Sequence, residues 1–119
     1  MAGQNLKGIQ RLFAAWNNSL AGLKACWNHE EAFRQEVIFS FIGIPLGLYL
    51  GETSIEQVLL VGSLLLLMII ELLNSAVEAC IDRIGTEHHE LSGRAKDIAS
   101  AAVLFGTILV GLTWILLLI

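Results

Sequence analysis

Charge is scarce in this chain: Asp, Glu, Lys and Arg together make 15% of its 119 residues, against about 25% in ordinary soluble domains. With 55% hydrophobic residues and a mean hydropathy of +0.71, the shortage excludes a soluble domain and identifies an integral membrane protein. Cysteine is almost absent. Cys26 and Cys80 stand in no metal-ligand spacing, so a zinc site and a disulfide framework are both excluded, and both residues read as small apolar packers. The single proline, Pro45, is tolerable in a membrane helix packed against neighbours. No early apolar run is long enough for a cleaved signal peptide, so the first residues are expected to belong to the mature protein. No G-x-x-x-x-G-K-[ST] loop is present, so any phosphate site must be built from side chains. The seven basic residues form no tract that would take nucleic acid, and none is expected as a partner.

What is present is apolar length. Three uncharged stretches, Val37 to Gly51, Gln57 to Ile70 and Ile98 to Ile119, predict three membrane-spanning helices. The last can cross unaided, since about 20 residues at 1.5 Å each match a hydrocarbon core of about 30 Å. The other two need flanking polar residues. The expected architecture is all-α and a single domain over 1–119. A surface helix over 1–29 precedes spans at about 30–51, about 54–84 with a cytosolic extension, and about 92–119. All seven basic residues precede the first uncharged stretch, which begins at Val37, or lie between the second and third, which end at Ile70 and begin at Ile98. The positive-inside rule therefore puts the N-terminus and the 82–97 loop in the cytosol and the C-terminus on the periplasmic side. Leu6, Ile9, Phe13, Trp16, Leu20, Leu23 and Trp27 alternate spacings of three and four, one helical stripe suited to the membrane surface. The alternative is a coiled-coil seam. Gly43, Gly47 and Gly51 recur every fourth residue, a spacing expected to serve close helix approach in assembly.

One segment breaks the apolar pattern. Glu71, Asn74, Ser75, Glu78 and Asp82 fall within a sector of about 100° on one helix. Counting from Glu56, Glu71 lies about 22 Å along that helix and Glu78 about 33 Å, so one acid is still in hydrocarbon and the other just past it. An ionisable group at such depth is costly and points to function. A carboxylate there suits a general base acting on an alcohol that itself lives in the membrane. The structural alternative is a helix strut, protonated or hydrogen-bonded to Asn74. More acids gather on the cytosolic side: Glu30, Glu31 and Glu36 before the first span, and Glu87, Glu90 and Asp97 in the loop. Carboxylates facing Lys96 and Arg94 suit magnesium and nucleotide phosphates. "EHHE" at 87–90 reads as a solvated polar loop rather than a metal cluster.

The stretch "ELLNSAVEACIDRIGTEHHELSGRAKD" resembles the prokaryotic diacylglycerol kinase signature E-x-L-N-[ST]-A-[IV]-E-x-x-x-D, and "AWNNSLAGLKACWNHEEAFRQE" upstream extends the resemblance to about Arg11. The resemblance implies ATP-dependent phosphorylation of diacylglycerol to phosphatidate, a homotrimer with sites shared between subunits, and location in the bacterial inner membrane. It implies Glu71 as catalytic base with Asn74 orienting the site, and Glu30 and Glu78 as Mg2+ ligands. Arg11, Asn18, Glu87, His88, His89, Lys96 and Asp97 match nucleotide-contacting positions. Arg11, Trp16, Trp27, Ala32, Phe33, Arg34, Gln35, Glu36 and Ser100 are expected around the lipid. Asn18 stands where the family pattern leads one to expect tyrosine, and His88 replaces an aromatic. Two rival readings stay open from the residues: a polyprenol kinase such as an undecaprenol kinase, and a small proton-coupled transporter using Glu71. The transporter is disfavoured because the acid stripe runs outward into a charged cytosolic segment and no internal repeat is visible.

Overall fold

A computed structural model describes residues 7–85 and 87–119 and shows an all-α chain of four helices. These are α1 (Ile9–His29), α2 (Glu31–Leu50), α3 (Ser54–Ile84) and α4 (Glu90–Leu118). The chain is all-α as expected, and Leu6 of the apolar stripe lies outside the described residues. By length and composition, α3 and α4 can each cross a bilayer. The shorter α2 begins with Glu31, Arg34 and Glu36, which interrupt its apolar length.

Local chemistry explains the boundaries. Thr53 caps α3, its hydroxyl oxygen accepting from the Glu56 backbone N–H at 3.2 Å and its O–H lying 3.2 Å from the Glu56 carboxylate, a reciprocal cap for otherwise unpaired groups. Gln57 then donates to the Leu48 carbonyl at 2.8 Å and locks the α2–α3 turn. That turn has no room at Gly51, where a Cβ would lie 2.7 Å from Gln57 Cγ and 2.9 Å from the Gln57 nitrogen. At the other end, α3 continues to Ile84 and α4 starts at Glu90, capped by His89 Nδ1 accepting from the Leu91 N–H at 3.0 Å. The expected 82–97 loop thus shrinks to 85–89, and most of its charges ride on helices.

α3 is the central element, with α2 and α4 packed along it and α1 touching both α2 and α3. The buried apolar set is small, Cys26, Phe33, Leu60, Leu64, Leu67 and Ile81, while Phe41, Tyr49 and Phe105 are largely exposed. Lipid rather than water is the natural solvent for such a surface. Close approach of α4 is made at Gly106, where a Cβ would meet Ile70 at 2.9 Å and Leu67 at 3.0 Å. Trp114 Nε1 clamps the far end, with the Leu60 carbonyl and the Ser63 hydroxyl oxygen each at 3.2 Å.

The glycine spacing has a different use from the one expected. Gly43 and Gly47 seat α2 on α3 of the same chain, with a Cβ at Gly47 lying 3.2 Å from Leu60 Cβ and 3.5 Å from Trp114. The seam is thus internal to the chain. Gly47→Leu forces a branched side chain into it, and such overpacking costs about 1–3 kcal/mol. The expected result is a clear fall in the thermal inactivation midpoint in detergent, whereas an unchanged midpoint would show that α2 can slide away freely. Cys80 also departs from expectation. Cys26 is buried as an apolar packer should be, but Cys80 is exposed on α3.

Candidate active site

The acid stripe forms because α3 is continuous through it, so the 3.6-residue period carries Glu71, Asn74, Ser75, Glu78 and Asp82 onto one face. Glu71 is buried, with 8% of its surface exposed. One turn on, Asn74 Oδ1 is buried and has no hydrogen-bond partner among the described residues. An acceptor left unmatched in this way costs about 1–3 kcal/mol unless a donor arrives.

Glu30 reaches the same region from the α1–α2 junction, where its extended backbone makes it the cap residue of α2. Burial pushes the Glu30 carboxyl above its ordinary range, and the neighbouring Glu78 carboxylate adds repulsion in the same sense. Glu71 lies within electrostatic reach of both Glu30 and Glu78. Three acids therefore converge from a helix and a junction. The Ser40 hydroxyl, on α2, donates to Glu36 Oε1 at 3.4 Å, and Glu36 also lies in electrostatic reach of Glu71.

Between α1 and α3 opens a cavity of ≈ 860 Å³. Glu30, Cys26 and His29 line it from one side, Ser75 and Asp82 from the other. The Cys26 thiol lies 3.3 Å from Ser75 Oγ, and burial pushes the pKa of that thiol up. Below it runs an apolar groove of ≈ 570 Å³ whose lining includes Trp27, Phe33, Ser40 and Met68. The first cavity is the more polar of the two, carrying acid, imidazole and hydroxyl groups among apolar residues, and of the acid stripe Ser75 and Asp82 line it.

Other expected site residues are placed elsewhere. Trp27 and Phe33 join the apolar groove. Arg34 instead donates to the Trp27 carbonyl at 2.8 Å and the Asn28 carbonyl at 3.4 Å, satisfying the C-terminal end of α1. Arg11, Trp16 and Asn18 lie exposed on α1, and Ala32 and Gln35 lie exposed on α2. His88 and Asp97 line a separate surface cavity of ≈ 500 Å³ with Glu90 and Arg94. Glu87 is exposed in the 85–89 loop, Ser100 is exposed on α4, and His89 is occupied as the α4 cap. Lys96 pairs with Asp82 at 3.2 Å. That pairing and the Cys26–Ser75 contact were not foreseen, since each joins two helices and follows from no spacing within one element; the Ser40–Glu36 contact lies four residues apart on α2, a spacing the sequence does carry.

Comparison with known proteins follows the same residues. Residues 17–118 match the family described as prokaryotic diacylglycerol kinase. A diacylglycerol kinase of Haemophilus influenzae is 52% identical over 107 residues, covering 90% of this chain and 91% of that protein. One from Escherichia coli K12 is 48% identical over 114 residues, covering 96% and 93%. One from Pseudomonas aeruginosa is 41% identical over 107 residues, covering 90% and 87%.

Proposed function

The chain belongs to the prokaryotic diacylglycerol kinase family and is a kinase of that kind, and from this premise we propose that it moves the terminal phosphoryl group of ATP onto diacylglycerol at the cytosolic face of the bacterial inner membrane. The observation that carries the reading is the position of Glu71, a buried carboxylate on the same helix face as Glu78, which meets Glu30 beside the polar cavity. Diacylglycerol enters sideways from the bilayer with its tails toward the apolar groove and its hydroxyl toward Glu71. Glu71 accepts the hydroxyl proton as the oxygen attacks the phosphorus, and ADP departs toward the cytosol. Asn74, one turn beyond Glu71 with its Oδ1 unpartnered among the described residues, orients the site, its amide N–H being free to donate to the hydroxyl oxygen while the hydroxyl proton faces Glu71.

Two carboxylates crowded together, Glu30 against Glu78, suit Mg2+, which favours one or two carboxylates plus phosphate oxygens. Glu30 and Glu78 would hold the ion, and its chemistry when bound is to neutralise the charge on the transferring phosphoryl group. Lys96 adds a second positive charge. Most of the work in such transfers is positioning and charge stabilisation, so a base, a lysine and a metal suffice without a soluble kinase fold.

The whole arrangement is proposed with three spans, α2, α3 and α4, the N-terminus and the 85–89 loop in the cytosol and the C-terminus in the periplasm. α1 lies on the membrane surface, supported by the exposed Ile9, Phe13, Trp16 and Leu20 on its apolar stripe. His88 and Asp97 line a cavity apart from the one lined by Glu30, which supports a homotrimer in which one copy completes the site of another. Arg11 and Asn18, also absent from the Glu30 cavity, fit the same arrangement. The test is direct: purified protein in mixed micelles should convert ATP to ADP only when diacylglycerol is supplied, with matching phosphatidate formed. Equal or greater turnover with a polyprenol would reassign the substrate, and no lipid-dependent turnover at all would overturn the reading.

A further inference from the structure

Lys96 reaches the acid stripe in an unexpected way. It sits in the second turn of α4, on the far side of the 85–89 loop from α3, yet its ammonium lies 3.2 Å from Asp82 Oδ1. Asp82 is one helical turn beyond Glu78 and lines the same cavity as Glu30. Both side chains are substantially exposed, 45% for Lys96 and 67% for Asp82. An exposed pair of this kind contributes little to folding stability, so stability gives no reason for it. Geometry does. A lysine is a point charge on a flexible four-carbon stem, and without a partner its ammonium samples a wide volume. Asp82 removes that freedom at the edge of the polar cavity.

We infer that Asp82 is a positioning residue, which holds the Lys96 ammonium at the mouth of the α1–α3 cavity so that the phosphates of an incoming nucleotide meet a lysine already in place. The inference rests on the proposed role of Lys96 as a phosphate contact. Preorganising a charge lowers the ordering cost of binding, so the effect belongs in nucleotide affinity more than in the chemical step. The neighbouring Arg94 faces Glu90 on α4 itself, at 3.4 Å, rather than Asp82. Asp82 also lies within electrostatic reach of Glu30, so the test has to show that its effect on nucleotide binding runs through Lys96.

The experiment is a double-mutant cycle on the full-length protein in mixed micelles, using Asp82→Asn, Lys96→Ala and the pair. Asp82→Asn should raise the KM for ATP about tenfold with a smaller change in kcat and no change in the magnesium dependence, and the pair should be no worse than Lys96→Ala alone. Asp82→Glu, which keeps the charge, should recover most of the affinity, and it serves as well should the asparagine variant fold poorly. If Lys96→Ala leaves the ATP KM unchanged, the phosphate role of Lys96 fails. If Lys96→Ala raises the KM but Asp82→Asn leaves it unchanged or lowers it, Asp82 merely competes with phosphate and the positioning role alone is overturned. Full additivity, or a shifted magnesium dependence in Asp82→Asn, would equally overturn it by showing that Asp82 acts independently of Lys96.

Discussion

Glu71→Gln is expected to lower turnover by about two orders of magnitude or more while leaving the protein folded, because it deletes the proposed proton acceptor and keeps the shape. A neutral amide is no costlier at that depth than the acid it replaces, so recovery in detergent should match the parent protein. The measurements are lipid-dependent ADP release and the yield of assembled protein. Near-normal turnover combined with failed assembly would make Glu71 a structural strut and move the search for the base to Glu36 or Asp97. Glu36 is the better placed of these, being in electrostatic reach of Glu71, whereas Asp97 lies on the surface cavity of α4.

Glu78→Gln should fail differently. Its carboxylate is proposed to share a cation with Glu30, so its loss should raise the magnesium concentration needed for half-maximal rate by about tenfold and weaken ATP binding as well as slowing transfer. Relief of the crowding should also let the Glu30 carboxyl move back toward its ordinary range, since Glu78 is one of the groups holding it up. Rate against magnesium at fixed ATP separates the two variants: Glu71→Gln should lose rate at every magnesium concentration, Glu78→Gln most steeply at low magnesium. A parallel loss in both would remove the division of labour between base and metal ligand.

Much of this was legible in the sequence because helices write a period into it. The acid stripe from Glu71 to Asp82 needed only the 100° step per residue, and the uninterrupted α3 carries it as expected. The cap that starts α3, Thr53 accepting from the Glu56 N–H, was not read from the sequence, although its residues stand three apart in it. Contacts between elements were not legible. Gly47 announced close approach but not whose surface it approaches, and it turned out to seat α2 against Leu60 of the same chain. The charges from 82 to 97 looked like a loop because they are polar and include Gly85 and Gly93. They lie mostly on helices because His89 caps α4 early. The Lys96–Asp82 pair spans 14 residues and two helices, a distance over which no periodicity carries information.

The unbroken course of α3 fixes where this chain can tolerate length change. Adding or removing one residue between Glu71 and Glu78 would shift everything beyond it by about 1.5 Å and swing it by about 100°, turning one acid away from the other. Insertions and deletions are therefore confined to the seams that carry no shared register, above all the 85–89 loop, where an extra residue lengthens a connection without rotating α3. Even there the allowance is narrow, because the loop sets the reach between Asp82 and Lys96. The Gly51–Thr53 turn is stricter still, with Gln57 packed against its glycine and bonded across it to Leu48.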